Sequence, residues 1–362
     1  MKASRITGLP PKSATIVAPP IVIKHCVGID VSKDHLEVCF SQMDIQQTVQ
    51  IKATRKFANR LGGWKSVDAW VKRLSKTNIP LWLVMEATGV YYEGAAYYLA
   101  SQQYQVAVVL PNKSKSFIQS LNLKTKTDAM EARALAQMGL ERKMKAWRGF
   151  SKTMLTLKRL CRERETIQEH MVAASNQLHA HKYEHNAEKK TLQRAQQHIK
   201  FLQKQIQDID RQIEQTLVQD PDLKAKIDKV CTLKGVSTLT AVTIISETNG
   251  FELIENKAQL VSYAGYDVVE RQSGSSIKGK TRISKKGNAH IRRALHYPAL
   301  SAARYDPNLH ALYQRVVERN PKAKMVALVA VQRKLLVLIY TLFKNNMEYD
   351  PNYAKNKTPI PN

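Results

Sequence analysis

Between residues 157 and 213 the apolar side chains advance in alternating steps of three and four, and this pattern leaves little freedom to the middle of the chain. Leu157, Leu160, Ile167, Met171, Ala174 and Leu178 form one run, with Arg164 in step. Leu192, Ala195, Ile199, Leu202, Ile206, Ile209 and Ile213 form a second, and a polar stretch from His179 to Lys190 separates them. Such a rhythm is helical, and sustained over several heptads it predicts two long helices, folded back as an antiparallel hairpin or offered to a partner as a coiled coil. Each run of ~30 residues would reach ~45 Å at 1.5 Å per residue. An arm so narrow hides only part of its own apolar stripe, which points to self-association, as a dimer or a tetramer.

The segments on either side differ in kind. Residues 1–20 contain four prolines and read as a flexible leader. From 21 to 150, apolar runs at Ile21–Val31, Leu36–Phe40 and Gln47–Lys52 predict strands, followed by a helix over Trp64–Leu74. A strand over Leu81–Met85, a helix over Tyr91–Gln102 and a strand over Gln105–Leu110 complete it. Strands first and then alternating strand and helix predict an α/β domain with a mixed sheet. Residues 151–220 are the hairpin. Residues 221–345 are expected to be mostly α, with a helix-hairpin-helix-like turn at Gly235, a Gly-, Ser- and Lys-rich loop over 249–292 and an apolar helix over Met325–Phe343. A polar tail, 346–362, closes the chain.

Composition narrows the function. The 57 Lys and Arg against 30 Asp and Glu leave a formal charge of +27, which suits a polyanionic partner, nucleic acid before anionic membrane. No stretch of ~20 apolar residues is free of charge, the best being broken by Gln332, Arg333 and Lys334, so no membrane span is expected. No secretory signal precedes Pro10, and Cys26, Cys39, Cys161 and Cys231 lack paired spacing. A reduced, cytoplasmic setting with unpaired thiols is therefore expected.

Four acids stand out in this basic chain. Asp30 interrupts an apolar strand, and Glu86 closes the run Leu81–Met85. Asp128 and Glu131, three apart, share one face of a helix. A carboxylate in apolar surroundings is costly unless a cation neutralises it. Four of them from three elements could hold Mg²⁺ or Mn²⁺, which favour oxygen ligands, and a pair of such ions can clamp a phosphodiester. Taken singly, Asp128 also reads as a helix-start residue and Glu86 as a surface acid at a strand end.

A second constellation is basic. Arg271, Lys278, Lys280, Arg282, Lys285, Lys286, Arg292 and Arg293 crowd around Ser273, Ser275 and Ser276, with one acid, Glu270, among them. Guanidinium and ammonium groups there could bind nucleic acid and stabilise charge on an attacked phosphate. Ser273 is either a nucleophile activated by a base or metal, or a solvating residue of a binding loop. A phosphoserine ester would preserve bond energy, allowing cutting and rejoining without ATP. His179, His181 and His185 fall in the polar break and read as a solvated tip. Tyr91, Tyr92, Tyr97 and Tyr98 read as a helix packing on a sheet.

Taken in order, the stretches Gly28–Lys33 (Gly-Ile-Asp-Val-Ser-Lys), Met85–Gly89, Lys126–Ala132, Leu233–Val236, Tyr263–Gly265, Ser273–Ser276 and Ile283–Asn288 resemble the DEDD-type insertion-sequence transposases of family one-ten and the related pilin-gene DNA invertases. The resemblance spans roughly residues 26–345. It implies a ribonuclease-H-like N-terminal domain similar to Holliday-junction resolvases, a coiled-coil arm and a C-terminal transposase domain. It assigns Asp30, Glu86 and Asp128 to three acidic positions, places Glu131 where the family has a fourth aspartate, and matches Ser273 to a nucleophilic serine. It further implies oligomers in which one subunit's acidic site joins another's serine. A structured noncoding RNA pairing with donor and target DNA is implied as well. The expected function is thus an Mg²⁺-dependent site-specific DNA recombinase, RNA-guided, acting through a 5′-phosphoserine. A resolvase-like nuclease using activated water, and a non-catalytic nucleic-acid-binding derivative, are the alternatives.

Overall fold

Residues 20–76, 78–87, 89–122, 127–252, 254–269, 272–273, 277–278 and 282–352 are described by a computed structural model, the side chains of 112, 272, 273, 277 and 278 excepted. The chain divides into two compact units, residues 1–149 and 150–362.

The first unit is built on strands β1 (Val22–Val31), β2 (His35–Asp44) and β3 (Val49–Ala58). Helix α1 (Leu61–Leu74), strand β4 (Leu81–Glu86), helix α2 (Glu93–Ser101) and strand β5 (Gln105–Val109) follow. Helices α3 (Pro111–Ser120) and α4 (Asp128–Glu141) end the unit. The sheet runs β3-β2-β1-β4-β5, with β2 antiparallel to both its neighbours and β1, β4 and β5 parallel. This is the mixed α/β sheet predicted from the order of strands and helices. β2 and β3 extend beyond their apolar runs, because a β-meander continues its ladder through polar residues on the open face. β5 ends at Val109, and Pro111 two residues on starts α3, where its fixed φ and missing N–H suit the first helical turn.

Alternation along β1 sends its side chains to two different layers. Val27, Ile29 and Val31 pack with Val67 and Val71 of α1 and Leu99 of α2. Cys26, Gly28 and Asp30 face α4. There the helix carries Ala132, Ala136 and Gly139, and the approach is so close that a Cβ on Gly28 would lie 2.0 Å from the Ala132 carbonyl oxygen and 2.3 Å from the Ala136 nitrogen. A Cβ on Gly139 would lie 2.2 Å from Cys26 Sγ. Lys24 Nζ donates to the carbonyls of Gly139 (2.6 Å) and Leu140 (3.1 Å), placing a cation at the negative end of α4. Helix α4 is therefore pinned antiparallel to β1, its last turn over the strand's start and its first turn over the strand's end.

The second unit opens with α5 (Lys152–Lys182) and α6 (Lys189–Val218). They form an antiparallel hairpin crossed by a bidentate pair from Arg164 to Asp210 (2.6 and 3.2 Å). Helices α7 (Pro221–Cys231), α8 (Thr238–Glu247) and α9 (Lys257–Tyr263) follow. Short strands β6 (Val268–Val269), β7 (Gln272–Ser273), β8 (Ile277–Lys278) and β9 (Arg282–Ile283) make two antiparallel ladders, β6 with β9 and β7 with β8. Helices α10 (Ala289–Ala294), α11 (His296–Tyr305), α12 (Pro307–Arg319) and α13 (Lys324–Asn345) complete the unit.

Leu157 and Leu160 at the root of the hairpin share one core with Leu233, Ile244 and Leu335, so the hairpin and the terminal helices are one hydrophobic body. The segment 249–292, read as loop, contains α9. Gly235 (φ +90°) packs its bare face on α11, where a Cβ would lie 2.7 Å from the Pro298 carbonyl. That close contact gives the turn a packing reason for its glycine, while Lys234, Gly235 and Ser237 remain exposed. Among the described residues α13 is the one helix long and apolar enough to cross a membrane, and half of it is buried within the unit.

Gly28→Ala should destabilise the protein by about 2–3 kcal/mol, since backbone atoms cannot yield as a side-chain end can; urea unfolding checks it, and an unchanged midpoint would contradict the close approach.

Candidate active site

Asp30 and Glu86 come together through sheet register. The parallel pairing of β1 with β4 runs from His25↔Leu81 to Ile29↔Met85, so the next residue on each strand is the acid. Both stand at carboxyl ends of adjacent parallel strands, where α/β sheets gather ligands. Residues in parallel register point to the same side, and for this pair it is the α4 side. The antiparallel course of α4 then delivers its first turn to the same place. Thr127 caps the helix, its hydroxyl accepting from Met130 N at 3.3 Å, and Asp128 and Glu131 lie in that first turn. Ser114 of α3, buried, donates from its hydroxyl to Glu86 Oε2 at 2.5 Å.

The electrostatics agree with this convergence. The Asp30 carboxyl is pushed up from its ordinary value of 3.8 to about 6. Burial is the largest cause, followed by the negative charge of Glu131, Asp128 and Glu86, while the Val31 N–H opposes. Asp30 thus feels the charge of the other three acids. Glu37, opposite Asp30 on β2, is excluded from the group by its ion pair with Lys56 (3.4 Å). Among the described residues Asp30 has no ion pair of its own, and no three His, Cys, Asp or Glu side chains are drawn into ligating distance. The donor set is all carboxylate oxygen at the mouth of an apolar sheet, which fits a hard divalent cation and no soft one.

The second constellation sits in the other unit, on a clasped ribbon. Val268↔Ile283 and Val269↔Arg282 pair at its foot, and Gln272↔Lys278 and Ser273↔Ile277 further along. The foot is held by two motif segments in close backbone contact. Asn288 N donates to Tyr263 O (2.8 Å), Lys285 N to Gly265 O (3.1 Å), and Ser284 N to Asp267 O (2.8 Å). Gly265 (φ +75°) and Gly287 are apposed so tightly that a Cβ on Gly287 would lie 2.5 Å from Gly265 N. Glu247, 1% exposed, anchors the clasp to the hairpin. It accepts two hydrogen bonds from Arg162 (2.6 and 2.9 Å) and one from Asn288 (2.7 Å). Burial pushes the Glu247 carboxyl up, but Arg162 and Asn288 together hold it below its ordinary range.

The basic residues divide. Arg292 donates to the carbonyls of Ala264 (2.8 Å) and Gly287 (3.1 Å), and Arg293 to Glu165 (2.5 Å) and Glu169 (2.6 Å). Arg282, Lys285 and Lys286 are at the surface or near it, with no ion pair among the described residues. The hydroxyl of Ser273 and the ammonium of Lys278 lie outside the described residues, as do Arg271, Lys280, Ser275 and Ser276. At the hairpin tip His179 stacks near Tyr183 and His181 bonds Glu184, all at or near the surface. Tyr97 packs on Trp147, beyond α4, and Tyr98 on Trp64 of α1, so these ring pairs meet a neighbouring helix and segment and not the sheet. Sequence reasoning missed Ser114, Lys24 and the Arg162–Glu247–Asn288 centre. A buried acid ending the apolar helix α8 was the one visible signal for the last.

Comparison with known proteins gives two family matches. A transposase model of the DEDD IS110 type covers residues 27–182, and a transposase model of the IS116/IS110/IS902 family covers residues 227–314. The pilin gene-inverting protein of Moraxella bovis is 26% identical over 334 residues, 90% of this chain and 98% of that protein. Its counterpart from Moraxella lacunata aligns to the same extent, also at 26%. The RuvC structure of Thermus thermophilus matches 34% of this chain and 99% of its own at 14% identity, with a TM-score of 0.27.

Because folded Asp30 holds its proton more tightly than the unfolded chain does, ionisation of Asp30 works against folding. Stability contributed here is lost as pH rises from about 4 to about 6, and the penalty is complete above that. Asp30→Asn should then raise stability in chelator at about pH 7.5 by about 1–2 kcal/mol and leave it unchanged at about pH 3; thermal melting at the two pH values checks this. Glu247→Gln, which leaves Arg162 and Asn288 facing a neutral amide, should cost about 3 kcal/mol in urea unfolding.

Proposed function

The chain belongs to the IS110 family of DEDD transposases and is a DNA recombinase, and from that premise we propose that it cuts and rejoins DNA through a covalent 5′-phosphoserine formed on Ser273. The single observation that carries the reading is the meeting of Asp30 and Glu86, in register on adjacent strand ends, with the first turn of α4 bearing Asp128 and Glu131. The family implies dependence on a divalent metal. Asp30, Glu86, Asp128 and Glu131 would hold it, as Mg²⁺ or Mn²⁺, and it would supply positive charge to the reacting phosphate and acidify a bound hydroxyl.

This chain's own residues have definable work. Ser114 fixes one oxygen of Glu86 and so orients that carboxylate. The Ser273 oxygen attacks phosphorus, the bond to the 3′ oxygen breaks, and the departing oxygen takes up a proton to become a 3′ hydroxyl. A 3′ hydroxyl from the partner strand later attacks the phosphoserine and returns the serine. One phosphate ester is exchanged for another at each step, so no external energy is needed. The acidic unit and the serine-bearing unit, of one chain or of two, must meet on one phosphate. Oligomerisation as a dimer or tetramer through the α5–α6 hairpin would satisfy this, and the exposed Val172 and Phe201 on those helices support it. The charge of +27 supports a structured guide RNA in addition to donor and target DNA. The inverting activity named for the Moraxella relatives suggests that the exchange can invert a segment as well as move one.

Incubated with DNA and Mg²⁺ and denatured, the protein should leave a serine-linked adduct. Ser273→Ala should lose both the adduct and strand cleavage by at least about 10³-fold, as should Asp30→Ala. Retained cleavage in Ser273→Ala with loss in Asp30→Ala would replace the phosphoserine with activated water and make the enzyme resolvase-like.

A further inference from the structure

The C-terminal unit holds an open cavity of about 720 Å³ at the foot of the serine-bearing ribbon, with no part in the chemistry described so far. Its walls are apolar: Val268 and Ile283 from the ribbon face Met325, Val326 and Val329 of α13. Val268, Met325 and Val326 are 59%, 62% and 60% exposed, an uncovered apolar surface beside the buried face of α13.

The floor is polar and ordered. Tyr266, 1% exposed, donates its hydroxyl to Gln332 Oε1 at 3.0 Å, and burial pushes its phenol up so that it keeps that proton. Gln332, 5% exposed, must then turn its amide nitrogen the other way, where it lies 3.3 Å from His296 Nδ1. With Nδ1 accepting from the amide, the imidazole proton resides on Nε2. Half-buried His296 therefore brings an N–H donor to a cavity with apolar walls. A flat group with apolar faces and an acceptor on its edge matches that combination.

The rim is cationic. Arg292 and Arg293 also line the cavity but are occupied by backbone carbonyls and by Glu165 and Glu169. Arg282 and Lys285 are the lining cations with no ion pair among the described residues, and Lys285 is held in left-handed backbone (φ +54°) by its bond to Gly265 O. Val268 and Ser273 are five residues apart, a reach of at most ~17 Å. At ~3.4 Å per nucleotide along one strand, that is about five nucleotides.

We propose that this cavity receives an unstacked base of the DNA strand being recombined, with Arg282 and Lys285 holding the adjoining phosphates. The proposal rests on the recombinase reading but not on Ser273 as nucleophile. Its probe is DNA from the ends of the protein's own element, carrying 2-aminopurine at one position at a time and mixed with the full chain in chelator, where no cleavage occurs. 2-Aminopurine brightens when unstacked, so one position within reach of the cut should brighten. Val329→Trp, which fills the cavity, should lower that brightening roughly tenfold while duplex affinity stays within about twofold. If Val329→Trp melts early, Val326→Asp at the exposed rim should give the same loss. The proposal is overturned if no position brightens, or if both variants keep the signal. It is equally overturned if only 2-aminopurine placed in the guide RNA responds, or if the variants alter sedimentation and leave the DNA signal intact, since the surface would then serve RNA or a second copy of the chain. Failure of the phosphoserine reading would show in the cleavage assay alone and leave this signal untouched.

Discussion

The catalytic reading depends on one steric fact, the contact of α4 with β1 across a glycine. A side chain at Gly28 would strike the backbone of Ala132 and Ala136, so the helix lies against the strand at a distance that glycine alone allows. Small residues along the facing stripe of α4 continue that approach to Gly139, and Lys24 fastens the far end. Two residues beyond Gly28 is Asp30, and one turn before Ala132 is Asp128. The close packing thus sets how far apart the carboxylates of sheet and helix stand. It also places the positive end of the helix dipole at the acids, a modest offset to their mutual repulsion.

That repulsion is the functional content of the site. Asp30 records it: burial first, then the charges of Glu131, Asp128 and Glu86, raise its carboxyl, and a bound divalent cation would offset both. The fold tolerates the arrangement because the opposite face of the sheet is a large aliphatic and aromatic layer. Burial of each such side chain is worth about 1.5–3 kcal/mol, enough in sum to carry one strained charge cluster.

The C-terminal unit solves a different problem: how to hold a short ribbon that has almost no ladder of its own. Two-residue strands supply few hydrogen bonds, so the stability of the foot comes from the Gly265–Gly287 apposition and from Glu247, whose carboxylate ties Asn288 to Arg162 on α5. Two of the basic residues expected to meet nucleic acid, Arg292 and Arg293, serve this scaffold through backbone carbonyls and the acids of α5. Motif segments around the serine therefore read as scaffold as much as chemistry.

Much of this was legible in one dimension. Apolar runs and the heptad pattern predict most of the strands and the two long helices, because what is to be buried is written directly in residue order. Asp30 and Glu86 are conspicuous because each is a charge set in or closing an apolar run, and Asp128 and Glu131 because their spacing of three puts them on one helix face. Ser114 and the Glu247 centre are not legible, since a serine on α3 or an arginine 85 residues from its partner carries no local sign of what it touches. What the order of residues determined alone was the set of elements and the anomalous charges within them. Only the tertiary structure decided that strand register aligns Asp30 with Glu86, that α4 runs back over them, and that Tyr266, Gln332 and His296 form one floor, because contacts between distant segments depend on how whole faces pack.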